Sequence, residues 1–144
     1  MKQAVQFGAG NIGRGFIAQL FCESDFATTF VDVNADLVSA LNSRQAYPIN
    51  IVGEGAEQVQ VTNVNAINGN DVDLVSASIA SADIVSTAVG AGVLKHIAPV
   101  IAKGLTRRFE NGGGPLNILI CENLHGGSDY LRQLVTQHLD ISVR

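Results

Sequence analysis

The sequence predicts an α/β fold, a doubly wound, mainly parallel sheet with helices on both faces and a small β-hairpin inserted into it. Three observations carry this. Strand-like runs alternate with helical periodicities through most of the 144 residues, the order that builds a parallel sheet by right-handed crossovers. The first and last strand-like runs are apolar and non-alternating, as in strands covered on both faces. A glycine-rich turn joins the first strand to the first helix. No linker, repeat or low-complexity tract interrupts the order, so residues 1–144 are expected to form one domain.

Lys2 to Phe7 reads as the first strand. A helix follows, in which Ile12, Phe16 and Leu20 recur every fourth residue with Ile17 and Phe21 beside them, a stripe expected to face the sheet. Thr28 to Val33 is β-branched and aromatic, hence a strand. Asn34 is placed to cap a helix carrying Leu37, Val38 and Leu41. Tyr47 to Val52 and Gln58 to Val64 look like a hairpin around Gly53-Glu54-Gly55, with Pro48 at an edge because it donates nothing to a ladder. A helix over 71–82 would bury Val72, Val75 and Ile79. Ala82 to Val89 is a strand of small residues. A helix over 93–105 sets Leu94, Ile97 and Ile101 in register and is expected to be stopped by Gly104 and the loop Asn111-Gly112-Gly113-Gly114-Pro115. Asn117 to Cys121 is an apolar strand, and a last helix covers 128–139.

Composition narrows the function classes. Apolar residues make up 47% and charged residues 15%, which fits a folded domain. The formal charge is -4 and only Arg107-Arg108 are adjacent cations, which argues against nucleic acid. No run suits a membrane span. The start, Met1-Lys2-Gln3-Ala4-Val5, leads into a strand without a cleavable apolar leader. Cys22 and Cys121 are expected to be reduced and buried. A cytoplasmic protein is the expectation. His96, His125 and His138 lack metal-ligand spacing, so no metal is expected and they read as surface positions.

The chemistry lies in Gly8-Ala9-Gly10-Asn11-Ile12-Gly13. A Gly-x-Gly-x-x-Gly pattern alone is weak, but this one follows a strand and opens a helix. Gly8 would make the tight turn, Gly10 would admit a pyrophosphate, and Gly13 would let helix and strand pack closely. The amides near Asn11 and Ile12 would face the phosphates at a positive helix end. Asp32 follows Gly13 by nineteen positions, where an acid accepts from the adenosine ribose hydroxyls. Val33 and Asn34 offer no cation for a 2'-phosphate, so NAD is expected over NADP. Thr87-Ala88-Val89-Gly90 ends another parallel strand, where ligands of such sheets bind. The candidate cofactor residues are Phe7, Gly8, Ala9, Gly10, Asn11, Ile12, Gly13, Asp32, Val33, Asn34, Ala88, Val89, Gly90 and Asn123. Position alone lets Asn123 hold a nicotinamide ribose or a substrate oxygen, or cap the next helix. Arg14 either touches the pyrophosphate or is solvated.

Several segments are more specific than the fingerprint. Asn11-Ile12-Gly13-Arg14-Gly15-Phe16-Ile17, Phe30-Val31-Asp32-Val33-Asn34, Ile97-Ala98-Pro99-Val100-Ile101-Ala102-Lys103-Gly104-Leu105 and Cys121-Glu122-Asn123 resemble the bacterial mannitol-1-phosphate 5-dehydrogenases, within the metal-independent, polyol-specific long-chain dehydrogenases. The resemblance covers nearly the whole chain. It implies a Rossmann-type NAD-binding domain of an oxidoreductase that interconverts mannitol 1-phosphate and fructose 6-phosphate. It also implies that the cofactor domain runs on beyond position 144, so that residues 1–144 are a truncated part of it, and that a catalytic Lys with Asn and His lies in a further helical domain, so this chain by itself is expected to be inactive. Asn123 matches a residue that steadies the developing alkoxide beside that Lys. Relatives act instead on mannitol, arabinitol or fructuronate, and a stand-alone NAD-sensing module is the alternative of another class.

Overall fold

A computed structural model describes residues 1–144. Five parallel strands, β1 (Lys2–Phe7), β2 (Phe26–Asp32), β5 (Val64–Asn68), β6 (Ile84–Thr87) and β7 (Asn117–Ile120), lie in the order β5-β2-β1-β6-β7. Between β2 and β5 the chain forms helix α2 (Ala35–Arg44) and an antiparallel hairpin, β3 (Ala46–Ile51) with β4 (Glu57–Thr62), which is a separate two-stranded sheet. Helices α3 (Val72–Ser81), α4 (Leu94–Glu110) and α5 (Gly127–Thr136) complete the chain after α1 (Ala18–Glu23).

The two faces of the sheet have separate cores. On one face Val5, Phe7, Val31 and Val85 meet Val75 and Ile79 of α3, Leu94 and Ile101 of α4, and Leu131 and Val135 of α5. On the other, Phe30 and Ala66 meet Ala18, Leu41 and the hairpin's Val61, while Ala4 packs on Ile17 and Phe21. Burial on both faces explains why β1 lacks polar alternation. No helix is long and apolar enough to cross a membrane.

Several expectations need correction. Ile12, Phe16 and Leu20 do not face the sheet. They are 58%, 60% and 47% exposed, while Gly13, Ile17 and Phe21 turn inward. The inward positions keep the four-residue spacing but lie one residue later, across a π-helical turn over Gly13–Ile17. In an α-helix the Ala18 N–H would donate to Arg14, but here it donates to Gly13. The hydroxyl of Tyr47, on the hairpin, donates to the Arg14 carbonyl at 2.7 Å instead.

The expected strand 58–64 is two strands. Asn63 takes a left-handed φ of 56°, and the chain beyond it enters the main sheet as β5, pairing Phe30 with Ala66. The outer edge of β5 is closed by a side chain: Asn42 accepts from the Ala66 N–H at 2.7 Å and donates to its carbonyl at 2.9 Å. Val72 is 43% exposed rather than buried with Val75 and Ile79. Gly104 does not stop α4, which continues to Glu110. Its missing side chain instead lets α4 lie against Ile79 of α3. Cys22 and Cys121 are free thiols but only half-buried.

Candidate functional site

The glycine turn sits at the carboxyl end of the sheet. Gly8 adopts φ +94° and its N–H donates to Val31 at 2.9 Å. A Cβ on Gly8 would collide with the Ala88 carbonyl, and one on Gly13 with the Gly8 carbonyl. At Gly10 a Cβ would meet no atom within 4 Å. Two glycines therefore permit close packing, and the third keeps space open beside the helix start. The N–H groups at that start lack intrahelical partners, so anionic oxygens would be well placed there.

Gln6 supports the turn from below. It is fully buried, and its Nε2 donates to the carbonyls of Phe7 (2.9 Å) and Gly8 (3.3 Å). Its Oε1 accepts from the buried Ser86 hydroxyl. The carboxylate of Asp32 joins the turn to α2, accepting from the Ala9 N–H through Oδ2 and from the Asn34 N–H through Oδ1, both at 2.9 Å. Asn34 caps α2 by accepting from the Leu37 N–H at 3.1 Å, as its position predicts.

Glu122, just past β7, reaches across to the loop after β6. Its two oxygens accept from the N–H groups of Val89 (3.0 Å) and Gly90 (2.9 Å). Burial, and then the charge of Glu122, push the Cys121 thiol above its ordinary pKa. Asn123 is exposed and does not cap α5, whose N-cap is Gly126 with no side-chain bond. Arg14 is half-buried with its Nε unpartnered. It lies near Tyr47, whose phenol is pushed up by burial and only partly lowered by the Arg14 charge.

These segments enclose a cleft of about 790 Å³, within the usual range for small-molecule sites. Phe7, Gly8, Gly10, Asp32, Val33, Ala88 and Val89 form part of its wall. Ala9 and Gly13 are buried, while Asn11, Ile12, Asn34, Gly90 and Asn123 are exposed and outside that wall. Sequence reasoning missed the rest of the wall, which includes Gly69, Asn70, Val72, His96, Pro99 and Lys103. His96, read as a surface position, is exposed but borders this cleft. Gln6 and Glu122 were also missed. A glutamine inside the apolar run Ala4-Val5-Gln6-Phe7 was the available signal for the first. No local signal marks the second, whose partners lie more than thirty residues away.

The fold resembles a solved Rossmann-fold NAD(P)-binding family protein from Shigella flexneri, with TM-score 0.52 and 16% identity over 94% of this chain and 60% of that one. Among curated proteins, the chain is 50% identical over 141 residues to a mannitol-1-phosphate 5-dehydrogenase from Brevibacillus brevis, covering 98% of this chain and 36% of that protein. Proteins of the same name from Geobacillus thermodenitrificans and Streptococcus mutans are 49% and 45% identical, over 95% and 96% of this chain. The chain spans only 36% and 37% of their lengths. The family model described as the mannitol dehydrogenase Rossmann domain matches residues 2–144. The chain therefore belongs to the mannitol dehydrogenase family and carries its Rossmann domain.

Proposed function

We propose that this chain binds NAD, as the cofactor domain of an enzyme that interconverts mannitol 1-phosphate and fructose 6-phosphate. The observation that carries the reading is the glycine turn. Its backbone is pressed against Ala88 while the space at Gly10 stays open, with Asp32 at the neighbouring strand end. A pyrophosphate fits at Gly10, and the Asp32 oxygens keep lone pairs for ribose hydroxyls beyond the two amides they accept from. The residues present thus fit a dinucleotide. Asp32 repels a 2'-phosphate, and its neighbours Val33 and Asn34 bring no cation. The name shared by the curated relatives supports the substrate.

The nicotinamide supplies hydride acceptance, and this chain's residues bind and orient it. The base that takes the hydroxyl proton comes from outside these residues. Lys103 is engaged with Asp73 at 2.8 Å, Lys2 lies over the Phe26 ring, and Lys95 is exposed on α4. We place the whole enzyme in the cytoplasm.

Fluorescence titration with NADH and NADPH tests the reading. NADH should bind more tightly, and Asp32→Ala should weaken it by about 1–3 kcal/mol while narrowing the preference. Equal or tighter NADPH binding overturns the choice of NAD, and no binding of either overturns the dinucleotide site. Joined to its catalytic domain, the chain should support fructose 6-phosphate reduction by NADH.

A further inference from the structure

The main-chain bonds around the end of β6 show where regular structure stops. The Ala88 N–H donates to Phe7 at 2.8 Å, and the Cys121 N–H donates to Thr87 at 2.9 Å. Past these rungs, the next two N–H groups of the loop, on Val89 and Gly90, have no strand to pair with. Both are taken by the one carboxylate of Glu122, through separate oxygens. Gly90 is held at φ +93°, a conformation side-chain-bearing residues rarely adopt. Ala88 and Val89 form the cleft wall next to the glycine turn. An acidic group on the end of β7 therefore fixes the shape of that wall.

We propose that Glu122 is a positioning residue for the nicotinamide half of the cleft: by occupying the Val89 and Gly90 amides it fixes the loop after β6 and leaves the glycine turn as the site for the phosphates. The proposal rests on the dinucleotide reading above. Two adjacent amides facing one way would otherwise attract an anion. With a carboxylate already bound there, a phosphate is repelled. The charged acceptor matters because a neutral amide at position 122 would turn an N–H donor towards one of the two N–H groups.

The test compares whole and partial ligands on the full chain. In Glu122→Gln, NADH affinity should fall about tenfold, the scale of one charge-assisted hydrogen bond. Affinity for ADP, which lacks the nicotinamide half, should stay within about twofold. Equal losses for NADH and ADP, or no loss for either, would overturn the assignment of Glu122. Failure of the unaltered chain to bind NADH would overturn the dinucleotide reading and this proposal together. Amide hydrogen exchange of the unaltered chain gives a readout independent of the variant's folding. The Val89 and Gly90 amides should be protected well beyond those of Asn11 and Ile12, and exchange at the same rate would count against the clamp.

Discussion

Within the glycine turn, Gly10 is the residue whose missing side chain leaves space open rather than permitting a contact. Gly8 and Gly13 each stand against a carbonyl that a side chain would strike, whereas nothing approaches Gly10. The same residue type therefore predicts opposite phenotypes. Gly10→Val should leave circular dichroism and melting nearly unchanged and abolish NADH binding, because its methyl groups fill the phosphate's place. Retained affinity would put the dinucleotide elsewhere. Gly13→Ala, by contrast, should lower stability by about 1–3 kcal/mol through overpacking against Gly8. Chemical denaturation followed by circular dichroism measures both variants.

At the scale of elements, α3 and α4 cross at Gly104, where a Cβ would lie 2.5 Å from the Ile79 Cβ. Gly104→Ala should force the helices apart and cost about 1–3 kcal/mol, even though alanine is the better helix former by roughly 1 kcal/mol. An unchanged or raised denaturation midpoint would mean that the contact gives way easily. This crossing also shows what was legible in the sequence. A glycine within a helical period reads as a stop unless the opposing helix is known. Elements set by local chemistry were legible: β1 from its apolar run, α2 from its Asn34 cap, and the turn from its glycine spacing. β5 was not, because Asn65 and Asn68 weaken its strand propensity and the break at Asn63 depends on a left-handed backbone. The phase of the first helix was lost because Ile12, Phe16 and Leu20 share the four-residue spacing of the inward Gly13, Ile17 and Phe21. In the site, the fingerprint and Asp32 were legible from spacing. Gln6 and Glu122 were not, since what they do appears only when distant strands are brought together.

Across the whole molecule, the two edges of the sheet are finished differently. On β5 the Asn42 carboxamide makes both bonds that a neighbouring strand would make to Ala66. The outer edge of β7 has no such plug, and Leu119 there is 45% exposed. Open edges are where copies of a chain join. In sedimentation runs at rising concentration, this chain should form dimers, and Asn42→Ala should add larger species. A monomer at every concentration would show that β7 is too short, at four residues, to recruit a partner. Growth into a fibre needs two sticky ends on each unit. With one end stopped by Asn42, two copies meeting through β7 about a twofold axis satisfy each other and leave nothing to extend. In such a pair the Asn42 carboxamide would act as a chain terminator, holding assembly at two copies.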